Sequence, residues 1–77
     1  MKVMVLPPAY YIPDGLDKNG YLDIPEGENV GYVLKKMKMP KIKARIMLVS
    51  VNGQIATATT ALHEGDTIGF FSGLAGG

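Results

Sequence analysis

Asn29-Val30-Gly31-Tyr32-Val33-Leu34-Lys35-Lys36-Met37-Lys38 decides the architecture, because it is the one convincing helix signal in the chain. Val30, Val33, Leu34 and Met37 recur at spacings of three, four and seven, which puts them on one face of a helix. Asn29 stands where its side chain can cap the first turn, and Lys35, Lys36 and Lys38 suit the negative end of the helix dipole. Gly31 weakens the helix by about 1 kcal/mol relative to alanine, and Pro40 stops it. On either side the chain alternates or turns, so one helix has to cover one face of one sheet. The fold class is therefore α+β in two layers, a mixed sheet packed on one main helix.

Outward from the helix the strands are short and well punctuated. Val3-Met4-Val5-Leu6 is a first strand, and Pro7 and Pro8 end its ladder by removing two backbone donors. Pro13-Asp14-Gly15 marks a turn in an irregular segment that holds Tyr10 and Tyr11. A second turn at Asp17-Lys18-Asn19-Gly20 leads into Tyr21-Leu22-Asp23-Ile24, which alternates with Leu22 and Ile24 on one face. Joined this closely, the first two strands are antiparallel. After the helix, Met47-Leu48-Val49-Ser50-Val51 is the strongest strand signal, and Asn52-Gly53 turns it back into Gln54-Ile55-Ala56. Ala58 to Leu62 connects to the turn His63-Glu64-Gly65-Asp66, and Thr67-Ile68-Gly69-Phe70-Phe71 is the last strand. The helix serves as a crossover that brings the later strands in beside the first.

Seventy-seven residues make one domain, which buries only about 60% of the surface of its unfolded chain. Nearly half the residues are hydrophobic, so the chain is globular. Cysteine is absent, which excludes a disulfide framework, a thiolate metal site and a cysteine nucleophile. His63 stands alone without companions at metal-ligand spacing, and reads as a turn residue; no metal site is expected. The apolar run before Pro7 is too short to span a bilayer, and no secretory signal is visible, so the expected location is the cytoplasm and no membrane partner is expected. Six of the eight basic residues fall between Lys35 and Arg45, and no acid occurs from Val30 to His63. With a net charge of +1 and no interleaved aromatics, that block reads as a solvated helix end and loop rather than a nucleic-acid site.

Ser72-Gly73-Leu74-Ala75-Gly76-Gly77 is different in kind. Its residues are small, and no side chain beyond Leu74 can anchor in a core. Extended, these six residues reach about 20 Å past the last strand, far enough to place a carboxylate inside another protein. Glycines at 76 and 77 leave no Cβ to collide with a narrow groove and admit dihedrals closed to other residues. The competing reading is a frayed terminus without a role.

The hairpin, the single helix, the Val51-Asn52-Gly53 turn, the Leu62-His63-Glu64-Gly65-Asp66 turn and the Gly76-Gly77 end together resemble the ubiquitin-like sulfur carriers (MoaD/ThiS-like). These include the molybdopterin synthase small subunit and the thiamine sulfur carrier. The similarity spans nearly the whole chain and is best from Leu48 to Gly77. Phe70-Phe71 followed by Ala75-Gly76-Gly77 is nearest to the molybdopterin synthase small subunit. Two departures stand out. Ser72-Gly73 replaces a pair of prolines, which makes a more flexible tail, and Pro7 to Asp14 lacks the helical pattern that the family often has there.

The resemblance implies a β-grasp (ubiquitin-like) domain over residues 1–71 and a flexible tail over 72–77. It implies that an activating enzyme uses ATP to adenylate Gly77, and that a sulfur donor then displaces AMP to leave a thiocarboxylate. The tail would next deliver sulfur to an acceptor, either the molybdopterin synthase large subunit or thiazole synthase. The chain would be a co-substrate or small subunit rather than an enzyme, with no bound cofactor. Gly77 carries the sulfur, Gly76 gives clearance, and Leu74 and Ala75 set the register. Alternation leaves Phe71 on the open sheet face beside Leu48, where both are candidates for gripping a partner. Two other readings stand beside this one: an interaction module whose tail is never activated, and a ubiquitin-like modifier joined to proteins through Gly77.

Overall fold

The computed structural model describes residues 1–6, 16–39 and 47–72. The elements follow in the order β1 (Lys2–Leu6), β2 (Tyr21–Asp23), α1 (Val30–Lys36), β3 (Met47–Val51), β4 (Gln54–Ala56) and β5 (Thr67–Ser72). They build one five-stranded sheet in the spatial order β2-β1-β5-β3-β4. β1 pairs antiparallel with β2 and parallel with β5, while β3 pairs antiparallel with both β5 and β4. The sheet is mixed, as expected, and the crossover sets the last strand beside the first.

Turn chemistry explains the hairpins. Asn52 and Gly53 have φ of 53° and 84°, the pair of left-handed residues that an Asn-Gly hairpin needs. At the other hairpin the Asp17 carboxylate accepts from the backbone N–H groups of Asn19 and Tyr21 at 2.8 and 2.9 Å. Those bonds hold its carboxyl below the usual aspartate range, with the Tyr21 N–H the largest cause.

Strand alternation then sorts the faces. Val3, Leu22, Val30, Val33, Met37 and Ile68 are all fully buried, and Val5, Ile24 and Leu62 are nearly so. Leu34 and Phe70 pack against this cluster while staying partly exposed. Among the described residues, α1 covers one face of the sheet and no element covers the other.

The helix begins as the sequence predicts: Asn29 Oδ1 accepts from the Tyr32 N–H at 3.0 Å. Its end is a correction. α1 stops at Lys36, with Met37 as the cap and Lys38 in the left-handed region at φ 58°. The Lys38 N–H donates to Lys35 O at 2.9 Å and the Met39 N–H to Leu34 O at 3.1 Å. This is a Schellman closure, so the stop is made locally, before Pro40. Gly31 also acquires a reason. Its N–H donates to Ala58 O at 2.8 Å, and an added Cβ would sit 3.2 Å from that oxygen. The residue lets the 57–60 connector lie against the start of the helix.

Candidate functional site

The open face of the sheet is built by register. In β-sheets, directly opposed residues share a face. Leu6 opposes Gly69, Gly69 opposes Ser50, and Ser50 opposes Ile55, which makes one row across β1, β5, β3 and β4. The neighbouring row holds Leu48 directly opposite Phe71. Leu6, Leu48, Ile55 and Phe71 are exposed by 53, 41, 62 and 44%, and these four are the exposed large hydrophobics among the described residues. All four lie on this one face. Gathered on one face rather than scattered, they make that face the candidate contact surface.

Gly69 leaves a dip in the middle of the face. A Cβ there would come within 2.8 Å of Ser50 Oγ, and Ser50 itself is 9% exposed. The row therefore rises at Leu6 and Ile55 and falls at its centre, with Phe71 beside the fall.

The structure brings Phe71 and Leu48 together, as the alternation in β5 and β3 predicts. Alternation in β5 puts Gly69 on the same face as Phe71, whereas the sequence reading does not single out Leu6, Ile55 or Ser50. Alternation within Val3 to Leu6 carried a signal for Leu6, but its neighbours depend on the β1–β5 register. β5 continues to Ser72, paired with Met47, so the strand takes in the first residue of the expected tail. Leu74, Ala75, Gly76 and Gly77 lie outside the described residues, as do the segment from Pro7 to Asp14 and the basic residues Lys41, Lys43 and Arg45.

Side-chain bonds fix the start of β5 and hence the path toward the tail. Asn52 Nδ2 donates to Asp66 Oδ1 at 2.9 Å, and Asn52 Oδ1 accepts from the Thr67 N–H at 2.9 Å. Asp66 Oδ2 accepts from the His63 N–H at 2.8 Å. Glu64 Oε1 accepts from the Lys2 N–H at 3.0 Å, which ties the same turn to β1. His63 is a turn residue, its side chain 81% exposed and its Nδ1 3.8 Å from Asp66 Oδ2. Among the described residues, no three His, Asp or Glu side chains gather where they could hold a metal ion. No helix among them is long and apolar enough to cross a membrane.

Comparison with known proteins agrees with this geometry. No curated protein matches the sequence. Among solved structures, the chain is similar to SAMP1 from Haloferax volcanii, at 16% identity and a TM-score of 0.56. The likeness covers 99% of this chain and 97% of that one, and it shows the fold to be a β-grasp. Residues 16–77 match the model of the ThiS family. With a β-grasp sheet and a match that runs over most of its length, the chain belongs to the ThiS family of ubiquitin-like sulfur carriers.

Proposed function

We propose that this protein carries sulfur as a thiocarboxylate on Gly77 for cofactor biosynthesis. The observation that carries the reading is the extent of the family match, which runs from residue 16 through Gly77 and so includes the tail. The open face adjoining β5 supports it, since a carrier must be gripped by its body while its tail reaches into an active site.

The chemistry belongs to the partners. An oxygen of the Gly77 carboxylate attacks the α-phosphorus of ATP in the activating enzyme and releases pyrophosphate. Hydrosulfide supplied by a sulfide donor then attacks the acyl carbon, AMP leaves with the bridging oxygen, and the S–H proton is lost to solvent. Gly77 is left as a thiocarboxylate, whose sulfur attacks the substrate held by the acceptor enzyme. The chain contributes the acyl group and the address. Gly76 admits the tail to a narrow groove, Leu74 and Ala75 set how far it enters, and Phe71 with Leu48 anchors the body. The acceptor we favour first is a molybdopterin synthase large subunit, on Phe70-Phe71 and Ala75-Gly76-Gly77, and thiazole synthase next.

ATP–pyrophosphate exchange with the cognate activating enzyme tests the first step. The full chain supports exchange, and a chain lacking Gly77 does not. Equal exchange by both would place activation elsewhere and overturn the reading.

A further inference from the structure

The helix layer carries a second concave surface that the sulfur-carrier reading does not use. A groove of about 790 Å³ lies between α1 and the 57–60 connector. Leu34, Met39 and Ala58 give it apolar walls, Lys35 and Lys38 stand at one end, and Glu28 at the other. No strand residue lines it among the described residues. A shallower depression shares Tyr32 and Lys35 with it and adds Lys36. The volume is that of a site for a few side chains or a small ligand.

Helix periodicity places these groups together. Gly31 and Lys35 lie four apart on α1, on a stripe beside the buried Val30 and Val33, and Lys38, just past the helix end in the left-handed conformation, lines the same groove. Gly31 is what admits the connector closely enough to make the opposite wall. Lys35 and Lys36 are exposed, and neither pairs with an acid among the described residues. Lys35, Lys36 and Lys38 line this end of the groove and the depression beside it, so the field there is positive while the walls are apolar.

We propose that this groove binds an acidic peptide segment of a partner protein. An aliphatic or aromatic side chain of the peptide packs between Leu34, Met39 and Ala58, and a neighbouring carboxylate meets Lys35. Charge complementarity selects the partner and speeds its arrival. A nucleic acid fits less well, because Tyr32 is the one aromatic among the lining residues and base stacking carries single-strand binding. The groove and the open sheet face lie on opposite layers, so a partner here does not compete with one that holds Phe71.

A titration of the isotope-labelled full chain with an acetylated Asp-Asp-Leu-Phe-Asp-Asp peptide tests this. Amide shifts are expected in residues 28–39 and 57–60, with β3 and β5 unmoved. Lys35→Glu or Lys36→Glu weakens binding by about tenfold, while Phe71→Ala leaves it unchanged. A peptide with serine in place of Leu-Phe binds about tenfold more weakly. Absence of shifts, shifts on the open sheet face, or equal binding of the serine peptide overturns the proposal. So does a DNA oligonucleotide that binds the same residues as tightly.

Discussion

Gly69 and Asp17 show how much one position can carry in a domain this small. Glycine in a strand usually costs about 0.5–1 kcal/mol relative to alanine, so Gly69→Ala should stabilise unless something blocks it. Ser50 Oγ blocks it, 2.8 Å from where the Cβ would stand. Gly69→Ala is therefore neutral or destabilising in the native sequence, and stabilising by about 0.5–1 kcal/mol once Ser50→Ala has removed the hydroxyl. A denaturation double-mutant cycle should give a coupling of at least about 0.5 kcal/mol, and additive effects would contradict the contact. Asp17 makes a pH prediction. Its folded carboxyl titrates below the unfolded one, because the ionised form accepts the Tyr21 and Asn19 N–H groups. The stability it adds is present above the unfolded value, near pH 4, and is lost as pH falls through the lower folded value. Urea denaturation across the acid range should show Asp17→Ala flattening that limb while the neutral-pH protein also becomes less stable.

Among the elements, α1 is the one whose ends divide most clearly into what sequence can and cannot say. Asn29 was legible as a cap because capping is local chemistry, and Asn29→Ala should cost about 1 kcal/mol in thermal or chemical denaturation. The other end was misplaced. A Schellman closure ordinarily puts glycine in the left-handed position, and here that position is Lys38, so nothing local announced it. Lys38→Gly should relieve the strained dihedral and stabilise the protein by up to about 1 kcal/mol; a loss of stability would mean the lysine side chain contributes more than its backbone costs. Asn52-Gly53 and Asp17 to Gly20 were legible for the same reason as Asn29. Gly31 was read as a weakness because its partner, the carbonyl of Ala58, is distant in sequence.

For the whole molecule, the site was half visible. Phe71 and Leu48 could be placed on the open face from alternation alone, but the row from Leu6 through Gly69 and Ser50 to Ile55 exists only once four strands are in register. Under the proposed function, that surface is the docking face of the carrier's body. Phe71→Ala should weaken binding to the activating enzyme by about tenfold, as loss of a central aromatic anchor does. Its melting temperature should change little, because Phe71 lies outside the buried core. Unchanged affinity, measured by calorimetry, would remove Phe71 from the interface. The central claim concerns Gly77. Its most direct test is the intact mass of the chain after incubation with ATP, a sulfide donor and the cognate activating enzyme. Exchange of one oxygen for sulfur predicts a gain of about 16 Da that fragmentation places on Gly77 and that deletion of Gly77 abolishes. An unchanged mass, with an enzyme shown to be active, would contradict the sulfur-carrier account.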